Sequence, residues 1–245
     1  ALLTRCGSAD GDSWSRLCHL QSVIYRRRGE EGRAAEALHN AADRIRSSTK
    51  EPKAQAGLLL NHAAALLQTG NPKEALRVLD DMILNGKDAF FFHGRSRRPP
   101  LDPFNALLSF AYSLLANDCA AALEAAGLDS YVGFLHRDRP GRVSLALDLM
   151  EELLPCMADR FVLTLINNRM IASTDFEFLE SGAVFIRDEA RRAFLQAWQA
   201  KKQESITHPY LKEKLPWGLV PYIQALLLAR YLRGDLDGYP PFLWK

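Results

Sequence analysis

The stretch FFFHGRSRRPPLDPFNALLSFAYSLLANDCAAALEAAGLDSYVGFLHRDRPGRVSLALDLMEE, Phe90 to Glu152, decides how this chain is read. Its centre, FNALLSFAYSLLANDCAAALEAAG (104–127), is apolar on nearly every side, which places a long helix or helix pair in a core. Gly133, Pro140 and Gly141 break the pattern across 128–143. Ser144 then has the chemistry of an N-cap for a helix running to about Asn168. Pro155 is expected to kink or interrupt that helix.

Working outward, FEFLESGAVFI (176–186) alternates and turns at Ser181-Gly182, a hairpin signal. Asp188 can start a helix to about Gln203, and a last helix over roughly 217–233 stops at Gly234. The tail GYPPFLWK is irregular, given Pro240 and Pro241. Towards the N-terminus, Ser22, Tyr25, Gly29, Ala34, Leu38 and Ala41 recur at the same offsets as Ala63, Leu66, Gly70, Ala75, Leu79 and Met82. Small residues beside a turn glycine resemble tetratricopeptide helix pairs, although Gly29 and Gly70 are 41 residues apart and SSTKEPK (47–53) separates the copies. The expected fold class is therefore all-α. Residues 85–245 form a helical domain with one short β-hairpin, preceded by a helical hairpin-type region over 1–84.

The 245 residues suffice for one large domain or two small ones. They are 48% hydrophobic and 24% charged, ordinary for a chain that buries a full core. The net charge of +2 does not itself point to nucleic acid, so the distribution of charge must. Cys6, Cys18, Cys119 and Cys156 form no CxxC pair, which reads as reduced cysteine in a cytoplasmic protein. No uninterrupted run of 18 apolar residues indicates a membrane span, and no signal peptide is visible. The chain opens at Ala1 rather than a methionine, as a piece of a longer protein would. Ser/His/Asp arrangements and Gly-rich phosphate loops are missing, which gives no support to hydrolysis of a non-nucleic substrate.

Asp148, Glu151 and Glu152 stand at i, i+3 and i+4, a spacing that shares one helix face. The preceding loop can fold His136 back towards them. Carboxylates suit Mg²⁺ or Mn²⁺, and Mn²⁺ accepts imidazole. Such a metal neutralises non-bridging oxygens in phosphodiester chemistry. Arg95, Arg97 and Arg98 cluster in GRSRRPP, and Arg137, Arg139 and Arg142 in HRDRPGR. Arginine forks match phosphate geometry, and the two clusters are expected to flank one metal site. The alternative is a solvated acidic face, a surface histidine and solvated basic loops.

KDAFFFHGRSRRPPLDPFNALLSFAYSLL (87–115), GLDSYVGFLHRDRPGRVSLALDLMEELLP (127–155) and HPYLKEKLPWGLVPYIQALLLARYLRGDLDGYPPFLWK (208–245) together resemble the CRISPR-associated adaptation integrase/endonuclease, in the version of type I-C systems. The resemblance covers 85–245. It implies a divalent-metal-dependent DNA endonuclease/integrase of antiviral defence, acting in spacer acquisition, where a DNA 3′-hydroxyl attacks a repeat-boundary phosphodiester. It also implies Mn²⁺ or Mg²⁺ held by a Glu, by His136 and by Glu151, with Asp148 as a supporting catalytic acid. The implied partners are double-stranded or branched DNA, a small adaptation protein and a second copy in a homodimer.

The chain departs from that pattern upstream. The family's third ligand, a Glu in a motif like G-x-E-G-x-A-A, aligns near Gln68 to Gly70, where no Glu stands. GEEGRAA (29–35) matches the motif locally and offers Glu31. The family's β-rich N-terminal domain is not recognisable in 1–84. A catalytically impaired relative, serving as a DNA-binding or protein-interaction scaffold, is the second reading.

Overall fold

In the computed structural model of this protein, which describes residues 83–91, 95–137 and 139–242, Asp102 starts the long apolar helix α1 (Pro103–Ala125). The Asp102 carboxylate accepts from the Asn105 N–H at 2.7 Å, and Pro103 takes the first helical position, where a missing N–H costs nothing. Gly127, at φ +78°, ends the helix, with the Leu128 N–H returning to the Leu123 carbonyl. The chain divides into two compact units, Ala1–Arg95 and Ser96–Lys245. Every element described below belongs to the second. The helix pairs expected over 1–84, and Glu31 with them, lie outside the described residues.

Leu107, Ala111, Leu115, Cys119 and Leu123 recur every four residues on α1, and all five are fully buried. Around this stripe pack α2 (Ser144–Glu151), a π-helical turn (Leu154–Asp159), α3 (Arg160–Asn167) and the last helix, α5 (Val220–Leu232). By length and apolarity α1 could cross a bilayer, contrary to the expectation that no segment qualifies; in this fold its stripe faces protein. Pro155 does interrupt the second helix: one wide π turn replaces the α repeat where proline lacks its N–H. The α4 helix (Asp188–Gln203) adds Phe194 and Trp198, which meet Phe161 edge-on at 5.1 Å each. Asp118 ties α4 to α1, accepting from Lys202 Nζ at 2.7 Å and Trp198 Nε1 at 3.3 Å.

The expected hairpin is present as β1 (Phe176–Phe178) and β2 (Val184–Ile186), antiparallel, with Phe176 opposite Ile186. The fold is mostly helical but carries two small antiparallel sheets, where the sequence reading allowed one. The second pairs β3 (Ser205–Thr207) with β4 (Lys214–Pro216). Its strands are only three residues long, and its turn is organised by a side chain rather than a glycine. The buried His208 ring accepts from the Tyr210 and Leu211 N–H groups at 3.3 and 3.2 Å, while Lys212 takes φ 62°. The last helix ends as expected: Gly234 sits at φ +79°, and the Asp235 N–H bonds the Arg230 carbonyl.

Candidate functional site

The loop between α1 and α2 folds back onto the start of α2. The Ser130 carbonyl accepts from the Leu145 and Ala146 N–H groups at 3.0 and 3.3 Å, satisfying donors that a helix start otherwise leaves open. Ser144 is therefore not the N-cap expected from sequence. Val143 holds that position, and the Ser144 hydroxyl donates to the Arg137 carbonyl at 3.3 Å. Gly133 lies so close to α2 that a Cβ there would stand 2.7 Å from the Ser144 Cβ and 3.0 Å from Asp148 Oδ2.

Asp148 fixes the loop. Its Oδ2 accepts from the Phe134 and Leu135 N–H groups at 2.5 and 2.9 Å, and its Oδ1 from the His136 N–H at 2.9 Å. His136 Nδ1 lies 2.6 Å from the same Oδ1. Burial works to raise the Asp148 pKa; the hydrogen bonds from Leu135, the His136 ring, Phe134 and the His136 backbone outweigh it, and the carboxyl sits below the ordinary aspartate value. An ionised Asp148 accepts only, so Nδ1 carries a proton, and Nε2 is the ring nitrogen turned towards Glu151. Glu151 Oε1 lies 4.0 Å from that Nε2, on a side chain 52% exposed.

An imidazole nitrogen and an open carboxylate at that separation lie within the span of two metal–ligand bonds of about 2.1 Å. The Asp148–His136 contact is the outer-shell bond that orients metal-binding histidines. Among the described residues, no three His, Cys, Asp or Glu side chains are grouped to hold an ion. The described residues thus supply a donor pair and its support.

The three carboxylates of α2 do not share one task. At about 100° per residue, Glu151 and Glu152 fall on opposite flanks of Asp148. Glu152 closes the helix and turns away from His136. It accepts from Gln224 Nε2 at 3.2 and 3.3 Å, from the Phe242 N–H at 2.6 Å and from the Tyr239 hydroxyl. Gln224 in turn accepts at 3.1 Å from His208 Nε2, since the His208 Nδ1 is itself an acceptor. Burial, then the Glu152 charge, pushes the Tyr239 hydroxyl pKa up, and burial lowers that of His208 despite its bond to Gln224. Sequence reasoning missed this network. The only signal was a second acid beside Glu151, and its partners lie 72 to 90 residues downstream.

The arginines stand in two groups along the chain. Arg97 and Arg98 stand near the N-terminal end of α1, where the Ser96 N–H reaches Asn105 Oδ1. The His136 loop sits towards the other end, where Ser130 Oγ approaches Glu124 at 3.4 Å. Arg97, Arg98, Arg137 and Arg139 are exposed, and Arg95 and Arg142 half-buried. Among the described residues, no ion pair engages Arg97, Arg98, Arg137, Arg139 or Arg142.

Known proteins share this arrangement of elements. The family profile described as CRISPR associated protein Cas1 matches residues 19–200. The CRISPR-associated endonuclease Cas1 2 of Rhodospirillum rubrum is 60% identical over 168 residues, 69% of this chain and 49% of that protein. The chain spans about half the length of curated relatives that it matches. Among solved structures, a casposase bound to integration product superposes with a TM-score of 0.61 at 24% identity, covering 72% of this chain and 49% of that one. A partial Cas6-RT-Cas1–Cas2 complex gives 0.59 at 22%, covering 94% and 65%. Both support the fold. With three quarters of its length inside the family profile and a 60% identical relative, this chain belongs to the CRISPR-associated Cas1 family.

Proposed function

We propose that this chain carries the catalytic part of a divalent-metal-dependent DNA endonuclease/integrase acting in CRISPR spacer acquisition. The observation that carries this reading is His136, held through Nδ1 by Asp148 at 2.6 Å with Nε2 facing Glu151 at 4.0 Å. His136 and Glu151 would hold Mn²⁺ or Mg²⁺, with Glu31 as the third ligand. The metal, when bound, supplies charge neutralisation at the phosphodiester and activates the attacking or leaving oxygen. Asp148 orients the imidazole by accepting from Nδ1, so that Nε2 is the nitrogen presented towards Glu151. Arg95, Arg97, Arg98, Arg137, Arg139 and Arg142 hold DNA phosphates by charge-assisted hydrogen bonds. Residues 85–245 form the catalytic region, and 1–84 a helical region joined to it. The proposed partners are duplex or branched DNA, a small adaptation protein and a second copy, in the cytoplasm; the neighbours described as bound to an integration product and as a Cas1–Cas2 complex support the first two of these.

The test is Mn²⁺-dependent cleavage and strand transfer on branched DNA, comparing the chain with Glu31→Ala, Glu151→Ala and His136→Ala. Loss in all three, with thermal unfolding unchanged, supports an enzyme with Glu31 at the metal. Loss confined to His136→Ala and Glu151→Ala moves the third ligand elsewhere. The scaffold reading is favoured by one observation in the sequence: no Glu stands at Gln68 to Gly70, where the family's third ligand aligns. An inactive parent chain that still binds DNA would establish that reading instead.

A further inference from the structure

Among the described residues, two that are not glycine adopt a left-handed backbone, and both are cations: Arg169 at φ 56° and Lys212 at φ 62°. That region crowds any residue with a Cβ, which is why glycine usually holds it. Arg169 has a local reason to be there. It follows α3, where its N–H returns to the Ile166 carbonyl and that of Met170 to the Leu165 carbonyl, each at 2.9 Å. A cation at that end of a helix also meets the negative pole of the dipole. Lys212 caps no helix. It sits in the β3–β4 turn, and its ammonium has no ion pair among the described residues. Glycine would make this turn without strain, so a lysine held there points to a role for its side chain beyond the turn.

The turn itself is firmly built. The His208 ring takes the Tyr210 and Leu211 N–H groups, the Lys212 N–H donates to the His208 carbonyl at 2.9 Å, and the His208 N–H to the Glu213 carbonyl at 2.8 Å. Through Gln224 the same ring is joined to Glu152, on the flank of α2 opposite Glu151. Tyr210 is 48% exposed, and Lys212 and Lys214 are exposed near it. Lys214 likewise has no ion pair among the described residues. Glu213, also exposed, sets one carboxylate against these two ammonium groups. A lysine ammonium is a compact charge with three rotatable donors, and a tyrosine hydroxyl donates as well. Three donors for anions within five residues suit an anion that repeats along a strand, as phosphate does in DNA.

We propose that the β3–β4 turn is a second phosphate-binding site for DNA, with Lys212 as its main contact and Lys214 and Tyr210 beside it. The inference rests on the nucleic-acid reading above and adds a site outside both arginine clusters and outside the His136–Glu151 pair. Its contribution is electrostatic, so it is the same for every base sequence and weakens as salt rises. The lysine is kept at the cost of backbone strain, so stability and DNA affinity pull in opposite directions at this one position.

The experiment measures binding of the full 245-residue chain to a duplex oligonucleotide at several salt concentrations, together with thermal unfolding of each variant. Lys212→Gly should bind about three- to tenfold more weakly, with a salt slope lower by about one unit. The same variant should unfold about 1–3 °C higher, because the strain is relieved. Lys212→Gln keeps the strained backbone and loses only the charge, so it should lose the same affinity without gaining stability. Lys212→Arg should keep both affinity and slope, and Lys212→Gln/Lys214→Gln should lower the slope by about two units. A loss of affinity confined to Lys212→Gly would assign the effect to the backbone and overturn the contact. Unchanged affinity and slope in every variant would overturn it and leave the nuclease reading intact. That result with an altered oligomeric state would assign the turn to an acidic protein surface instead. A parent chain that binds no DNA would overturn both readings.

Discussion

Asp148 holds both the backbone and the ring of His136: Oδ1 takes the His136 N–H at 2.9 Å and faces Nδ1 at 2.6 Å. One carboxylate thus fixes where the histidine stands and which of its nitrogens is free. Asp148→Asn keeps the size but loses half of the acceptor capacity. We expect Mn²⁺ affinity and DNA cleavage to fall about 10- to 100-fold, the usual cost of removing an outer-shell partner. Calorimetric titration with Mn²⁺ alone and a cleavage assay read the two effects. Unchanged values in both would mean that the imidazole is oriented by something other than Asp148.

Glu152 should matter to stability rather than to chemistry. Its carboxylate receives Gln224 Nε2, the Tyr239 hydroxyl and the Phe242 N–H. Glu152→Ala strands these donors and should cost about 2–4 kcal/mol, and Tyr239→Phe about 1–2 kcal/mol. Denaturant unfolding gives both values. By contrast Glu151→Ala, one residue earlier but 52% exposed, should leave the midpoint within the scatter of a surface substitution.

His208 makes stability depend on pH. Burial of the ring holds its pKa below the ordinary 6.5, against the opposing effect of its bond to Gln224. The unfolded chain then binds a proton that the folded chain refuses, so stability is complete above pH 6.5 and declines as pH falls below it. His208→Gln should lower stability overall and flatten the decline just below pH 6.5. A second decline, from the lowered Asp148 pKa, begins only below its ordinary 3.8 and should persist in that variant. Unfolding midpoints measured from pH 7.5 to 3 separate the two windows.

Arg97 is exposed and carries no ion pair among the described residues. If it contacts phosphate, Arg97→Ala weakens binding equally for all DNA sequences and lowers the salt slope by about one unit. Binding isotherms at several salt concentrations check this, and a loss confined to particular base sequences would rule the phosphate role out.

Patterns of period and punctuation were legible in the sequence. The apolar run at 104–127, the Ser181-Gly182 turn, the interruption at Pro155 and the stop at Gly234 all appear in the structure, since each depends on neighbours within a few residues. The grouping of His136, Asp148 and Glu151 was anticipated because a short loop can reach only one face of the helix that follows it. What escaped was non-local. The β3–β4 turn depends on a histidine ring accepting backbone hydrogen bonds, which no turn propensity encodes. The separate course of Glu152 depends on Gln224 and Tyr239. Ser144 had the right chemistry for a cap, but the Ser130 carbonyl reached the helix start first.

The bond from the Phe242 N–H to Glu152 joins residues 90 positions apart, and Gln224 joins the same carboxylate across 72. Synthesis runs from the N-terminus, so a nascent chain that has emerged as far as Ile223 already contains His136, Asp148 and Glu151. It still lacks all three groups that hold the neighbouring Glu152. The C-terminal end of the helix bearing Glu151 gains this brace only after the tail arrives, so the order of translation leaves the carboxylate beside Glu151 unanchored until the end of the domain has been made.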